Sequence, residues 1–279
     1  MSKRCNRHNL FPLVVIILAL IFLYVPLVQI TIASFNASKY GGTFTKFTFK
    51  WYVELFRTSE IWEALVNTLI IAVIATFFST VLGTLSALAL HRSRNRFRGI
   101  YHALVHTPLV VPDILLGISM LLLFEMMFKI FGPWFEQIFG IQLHFGMGTV
   151  IIAHITFCLS YVAMVVLSRL KEFDNSLLEA AQDLGASGLY TFFHVTLPVI
   201  LPGIIAGALF AFTLSIDDFL ITFFVKGADV QTLPTYIETS IRRGRKPGVL
   251  NALSVIFIVI TFVVVLITQK LLTSKKSES

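Results

Sequence analysis

The sequence has few charged residues and lacks the short motifs that mark common catalytic centres. Only 13% of its 279 residues are charged, and it contains no HExxH zinc motif, no nucleophile elbow and no glycine-rich phosphate-binding loop. Its seven histidines are scattered, and none is paired with a carboxylate at a metal-ligand spacing. We therefore expect no enzymatic activity, no metal and no cofactor on this chain, so any ATP-driven step must occur on another chain.

Cysteine is also scarce, and the basic charge has no obvious nucleic-acid motif beside it. Cys5 lies in a basic N-terminal tail and Cys158 in an apolar run, positions that do not suggest a disulfide. The net charge is +7, and the basic residues lie in the tails and between apolar runs. Anionic lipid attracts basic residues in such places, which we prefer to the alternative of a nucleic-acid patch.

Long apolar runs fill most of the chain. With 56% hydrophobic residues and a mean hydropathy of +0.84, the sequence is that of an integral membrane protein. About 20 apolar residues cross a bilayer as a helix. We predict an all-α fold with about six transmembrane helices in one domain, 1–279. The predicted spans are about 10–33, 62–90, 100–126, 148–167, 203–225 and 250–272, and Pro108 and Pro112 are expected to break the third.

Basic residues orient these spans. His91–Gly99 carries four arginines and is predicted to be cytoplasmic, which places both termini in the cytoplasm. The excess of basic residues on the cytoplasmic side is small, because Arg242, Arg243, Arg245 and Lys246 then fall in an external loop. The first run is too long for the apolar region of a signal peptide, about 7–15 residues, so we favour an uncleaved helix over that alternative.

The polar connections carry further expectations. Residues 129–147 and 226–249 are predicted to be external loops. Phe49 to Phe56 is predicted to be a short helix at the membrane interface, with Trp51 and Tyr52 as anchors. Asn67, the one amide of the second span, is interpreted as a helix-contact residue rather than a ligand.

Residues 169–202 form the longest polar interruption that still has helical character. Ser176 precedes Glu179 by the three residues of a capping box, and Asp174 and Asn175 just upstream are also suitable caps. Apolar positions then recur at helical spacing, at Leu177, Leu178, Ala181 and Leu184. Gly185 is a plausible C-cap, and a second short element is expected from Leu189 to Val195. The pattern predicts an amphipathic helix small enough to lie in a groove on a partner.

Four carboxylates inside predicted spans are singled out here: Asp113, Glu125, Asp217 and Asp218. A carboxylate in the membrane is costly and therefore faces a cavity or a partner. Consecutive helical residues point about 100° apart, so only one of Asp217 and Asp218 can face a pore squarely. We expect Asp113 and one of these two to line a path for a cationic solute, with a structural role as the alternative. Glu125 either joins the path or pairs with Lys129 at i,i+4.

The 169–202 stretch resembles the EAA loop of ABC-importer permeases. Glu179-Ala180-Ala181, Gly185 and Val195-Thr196-Leu197-Pro198 carry the resemblance, with Val195 where the family has Ile. The resemblance implies a type I permease fold, in which this segment is a cytoplasmic coupling helix that docks in a cleft of a separate ATPase. It assigns ATPase coupling to Leu178, Glu179, Ala180, Ala181, Asp183, Gly185, Leu197 and Pro198.

Further matches, over roughly residues 10–270, are similar to the second permease subunit of spermidine/putrescine importers. They are Trp51-Tyr52, Asn67-Thr68-Leu69, Pro112-Asp113-Ile114, Ser168-Arg169-Leu170-Lys171 and Leu214-Ser215-Ile216-Asp217-Asp218. The resemblance implies a multi-pass protein of a bacterial inner membrane that translocates a polyamine or another small organic cation. Its implied partners are a second permease, two cytoplasmic ATPase subunits that hold ATP and magnesium, an external solute-binding protein and the lipid bilayer. An ABC permease for a different small solute, or a channel or secondary carrier that works without a partner, is the alternative.

Overall fold

The computed structural model describes residues 10–38, 43–93, 98–140, 142–174, 176–244 and 246–276. Regular structure in these ranges is helical, apart from one isolated bridge that pairs Asn36 with Phe47. The helices are α1 (Leu10–Ser34), α2 (Lys50–Arg57), α3 (Ser59–Arg92), α4 (Arg98–Val110), α5 (Asp113–Phe139), α6 (Met147–Lys171), α7 (Ser176–Asp183), α8 (Gly188–Thr191), α9 (Leu197–Asp217), α10 (Leu220–Val225), α11 (Leu233–Arg242) and α12 (Pro247–Lys276).

The predicted all-α membrane fold is confirmed. Five helical stretches among the described residues are long and apolar enough to cross a membrane: Pro12–Ser34, Ser59–Arg92, Asp113–Phe139, Met147–Lys171 and Gly188–Asp217. In α12, the stretch Pro247–Val263 is apolar but shorter. The count of six spans therefore stays a prediction, although α12 covers the sixth predicted span.

The predicted third span, 100–126, is broken at Pro112 as expected but not at Pro108, which lies inside α4. The chain forms α4 up to Val110 and restarts as α5 at Asp113. Pro112 lacks the N–H of a helical hydrogen bond, and its ring crowds the preceding turn, so the helix breaks there. α5 then runs on to Phe139 and ends at Gly140, which has a φ of 65°. The predicted external loop 129–147 is therefore helical over its first half.

The boundaries predicted for the fifth span are also wrong. The chain is helical from α8 through a π-helical segment, Phe192–Thr196, into α9, so the polar stretch does not extend to residue 202. Leu197 and Pro198 lie in the first turn of α9, directly after the π-helical segment, and local π-helical turns accommodate proline within membrane helices. α9 then ends at Asp217 and α10 begins at Leu220, inside the predicted span. The predicted loop 226–249 contains α11.

The helices group into two compact units, one from the two ends of the chain, up to Ile61 and from Ile237, and one covering Trp62–Tyr236. In the first unit, α1 and α2 both pack on α12. The predicted interfacial helix near Phe49–Phe56 is present as α2, but Trp51 is not a lipid anchor. It is buried against Gly248, and its Nε1 donates to the Asn36 carbonyl at 2.7 Å.

The second unit is built around α6. The middle of α6 is buried, and Val162 packs between Gly83 of α3 and Gly207 of α9. The buried face of α9 repeats small residues every four positions, at Gly203, Gly207, Ala211 and Ser215. Small residues let two helix backbones approach closely in a membrane. α6 is therefore a fixed support on which α9 lies.

Candidate functional site

An open concavity of about 250 Å³ lies at the break between α9 and α10. It is lined by Asp113, Phe157, Thr213, Leu214, Asp217, Asp218, Phe219 and Leu220. Three of the four acids singled out in the sequence are thus brought together. Each lies at a helix end: Asp113 begins α5 after Pro112, Asp217 ends α9, and Asp218 follows it.

The carboxylates of this concavity have different surroundings. Asp113 and Asp217 are exposed residues. The side chain of Asp218 is only 7% exposed, and His154 Nε2 lies 3.2 Å from its Oδ2. A cationic solute in the concavity would therefore meet Asp113 and Asp217, whereas Asp218 is occupied by contacts within the protein.

Asp218 supports the start of α10. Its Oδ1 accepts from the Ile221 N–H at 3.2 Å, and its Oδ2 accepts from the Thr222 N–H and the Thr222 hydroxyl, both at 2.8 Å. The first amides of a helix have no partner within the helix, and a capping aspartate satisfies them. This explains how a helix can restart inside an apolar span without proline or glycine at the break.

Glu125 lies elsewhere on α5. Its Oε1 forms a 2.9 Å ion pair with Lys129 Nζ, and both side chains are exposed. This is the i,i+4 pair considered in the sequence analysis, made possible because α5 continues past Lys129. Glu125 is not among the residues that line the concavity. Asn67 likewise has the structural contact expected of it, donating from Nδ2 to the Gln231 carbonyl at 3.1 Å.

Sequence reasoning missed His154. It lies in the buried middle of α6, where it contacts Ser215, Thr222 and Asp218. A histidine in an apolar span was the only signal available. Its partners are more than 60 positions away, and no spacing rule connects residues on different helices.

The stretch predicted to contact a partner is a second candidate site. α7 covers Ser176–Asp183 and has no buried residue. The Asp174 carboxylate accepts from the Ser176 N–H at 2.9 Å, and this hydrogen bond lowers the pKa of Asp174 below its ordinary value of 3.8. Ser176 is itself the first residue of α7 rather than its cap, so the predicted capping box is wrong. The preceding position, 175, lies outside the described residues.

The end of α7 is formed as predicted. Gly185 has a φ of 80°, and its N–H donates to the Gln182 carbonyl at 2.8 Å. The Ala186 N–H donates back to the Ala181 carbonyl at 3.0 Å. These bonds satisfy carbonyls that a helix end leaves free, and the left-handed conformation suits glycine.

Leucines around this turn are exposed. Leu184 is 89%, Leu189 75% and Leu177 45% exposed. Leu177 lies on α7 and Leu184 in the turn after it, outside the five long apolar stretches, and an exposed apolar patch there is a candidate for contact with a partner.

Comparisons with known proteins identify the family of the chain. Residues 79–275 match the family described as the binding-protein-dependent transport system inner membrane component. The chain is 41% identical over 248 residues to the putrescine transport system permease protein PotI of Escherichia coli (strain K12), covering 88% of this chain and 85% of that protein. It is 37% identical over 254 residues to the spermidine/putrescine transport system permease protein PotC of the same strain, covering 91% and 90%.

A solved structure shares the fold. It is a chain in the crystal structure of a bacterial alginate ABC transporter in complex with an alginate pentasaccharide-bound periplasmic protein. The TM-score is 0.73 at 20% sequence identity, covering 95% of this chain and 93% of that chain. The absence of enzymatic activity expected from the sequence agrees with a family of transport components. The chain is therefore a multi-pass bacterial inner-membrane protein that belongs to the family of inner-membrane components of binding-protein-dependent transport systems.

Proposed function

We propose that this chain is a permease subunit of an ATP-driven importer that carries a small organic cation, a polyamine such as putrescine or spermidine. The names of the relatives support the solute class. The observation that carries the proposal is the concavity itself, in which the exposed residues Asp113 and Asp217 lie together at helix ends.

The acids suit a cationic solute for an electrostatic reason. An amine cation loses hydration when it enters a membrane, and fixed carboxylates offset part of that cost. Phe157, Phe219 and the adjacent leucines give the same concavity apolar walls, which fit the methylene chain of a polyamine.

The exposed stretch around α7 supports the proposal that ATP hydrolysis on another chain drives transport. In the proposed complex, α7 docks in a cleft of a cytoplasmic ATPase, with Leu178, Glu179, Ala180, Ala181, Asp183 and Gly185 at or near the contact. Leu197 and Pro198 support it from the first turn of α9. This docking places both chain termini in the cytoplasm. A second, homologous permease and two ATPase subunits, which hold ATP and magnesium, complete the membrane complex, and an external binding protein delivers the solute.

Closure of the ATPase dimer on ATP then moves α7, and the attached helices switch the concavity from inward- to outward-facing. The solute passes from the binding protein to the concavity in the outward-facing state.

Uptake of labelled putrescine and spermidine into proteoliposomes containing the assembled complex tests the proposal. Asp113→Asn and Asp217→Asn should each lower the initial rate about tenfold or more, because each removes one of the two available charges. Glu125→Gln is the matched control, an acid on α5 outside the concavity, and should stay within about twofold of wild type. Unchanged uptake by both aspartate variants in an assembled complex would contradict the proposal.

A further inference from the structure

We infer that His154 is a positioning residue of the solute path: it holds Asp218 at the break between α9 and α10, and so fixes the direction in which Asp217 faces. The inference rests on the proposed function for its effect on transport. Its geometric part stands on the contacts around the break alone.

Every polar atom of the His154 ring is engaged. Nδ1 lies 2.7 Å from Ser215 Oγ, and Nε2 lies 2.9 Å from Thr222 Oγ1 and 3.2 Å from Asp218 Oδ2. The residue is 1% exposed. Neither ring nitrogen is therefore available to bind a solute.

The hydrogen bonds determine which ring nitrogen carries the proton. Thr222 Oγ1 has one hydrogen, which it donates to Asp218 Oδ2 at 2.8 Å. Its contact with His154 must therefore be a hydrogen bond that Nε2–H donates. In the neutral ring, Nδ1 then accepts from the Ser215 hydroxyl. The Nε2–H is also directed toward the Asp218 carboxylate, so the ring supports the charged form of that acid.

The three partners belong to the two sides of the break. Ser215 lies in the last turn of α9, and Thr222 lies in α10. At Asp218, between them, the backbone leaves the helical conformation with a ψ of 122°. Because His154 belongs to the buried centre of α6, the ring ties both halves of the broken span to the rigid part of this unit.

The orientation of Asp217 depends on these contacts of His154. It is the last residue of α9 and is exposed toward the concavity, directly beside the anchored Asp218. Without the imidazole, a nearly buried carboxylate loses a donor, and the structure must relax to protonate or hydrate it. Either response moves the break and, with it, the adjacent Asp217.

A cysteine reporter tests the geometry without any solute. Cys5 and Cys158 are replaced by alanine, and Thr213→Cys is introduced in the lining of the concavity, where the residue is exposed. The rate of alkylation by a small maleimide is then measured in the purified complex with its partner subunits. Uptake of labelled putrescine is measured separately, in the complex without the reporter.

His154→Leu should change the alkylation rate fivefold or more and lower uptake at least tenfold in a complex that still co-purifies. His154→Gln, which retains an N–H donor, should stay within about threefold of wild type in both assays. Thr156→Val, an exposed change on the same helix, is the matched control and should alter neither. If His154→Leu does not assemble, Ser215→Ala and Thr222→Val, which each remove a contact of the ring, should produce the same two effects.

A double variant separates positioning from general loss of stability. In an Asp218→Asn background, His154→Leu should lower uptake by less than twofold further, because its effect passes through that carboxylate. In an Asp113→Asn background, the two losses should multiply. Losses that multiply with Asp218→Asn, or an alkylation rate that His154→Leu leaves unchanged, would overturn the inference. Absence of polyamine uptake by the wild-type complex would instead overturn the proposed function, while the alkylation rates still decide the role of His154.

Discussion

Gly203, near the start of α9, lies directly against the side chain of Arg169 in the last turn of α6. A Cβ at position 203 would sit 2.5 Å from Arg169 Cγ and 3.1 Å from its Cβ. The two residues flank the segment that carries α7 and α8. From this point the small residues of α9 continue along α6 as far as Ser215, so close packing connects the α7 end of the unit with the break at Asp218. At about 1.5 Å per residue, the connection from Gly203 to Asp218 spans roughly 22 Å.

Because Gly203 contacts Arg169, any larger side chain at position 203 should destabilise the complex. Gly203→Val should destabilise the assembled complex by about 1–3 kcal/mol, the usual range for an overpacked site. The measurement is thermal unfolding of the purified complex, alongside the ratio of solute transported to ATP hydrolysed. Ala206→Val, on the exposed side of the same turn, is the control. Equal melting temperatures for the two variants would contradict the packing argument.

Gly185 predicts an effect of backbone conformation. Its φ of 80° disfavours other L-residues by about 1–2 kcal/mol, although nothing lies within 4 Å of a Cβ built there. Gly185→Arg should therefore disturb the end of α7 and place a bulky side chain on the proposed docking face, so that ATPase co-purification and uptake both fall. Gly188→Ala, where a Cβ also meets open space and φ is not positive, should leave both unchanged. Normal uptake by Gly185→Arg would count against the coupling role.

Leu184 predicts an effect on binding without an effect on folding. Because 89% of this residue is exposed, Leu184→Ser removes little packing within the chain. If the side chain is buried against the ATPase, its loss should weaken binding of that subunit by about 1–2 kcal/mol, roughly tenfold in dissociation constant. Titration of the purified ATPase against the membrane complex measures this change. Leu184→Met keeps the apolar contact and should bind as wild type, so equal affinities for Leu184→Ser and Leu184→Met would exclude Leu184 from the interface.

The sequence predicted the features of the fold that depend on local chemistry. Apolar runs located the long helices, leucine spacing located α7, and the need for a positive φ was apparent at Gly185. The helix break at Pro112 could be predicted because proline lacks an N–H, but the length of the helix that follows it could not. A restarted helix has its own length, so α5 continued through a segment that appeared polar enough for a loop.

The break at Asp218 could not be predicted from local sequence. No proline or glycine occurs between Leu214 and Phe219, and the run is apolar apart from Ser215 and the two acids. What stabilises the break is the side chain of His154 on another helix, together with capping of α10 by Asp218. The sequence therefore identified the three acids of the concavity but not which of the adjacent pair is exposed.

In the proposed complex, α7 protrudes on the cytoplasmic side and receives force from a separate ATPase. The most direct test introduces Gln182→Cys, an exposed position of α7, in a chain whose Cys5 and Cys158 are replaced by alanine. A membrane-impermeant maleimide should label this cysteine in inside-out vesicles and not in right-side-out vesicles, and bound ATPase subunits should slow the labelling. Labelling from the right-side-out face would contradict both the orientation and the coupling role.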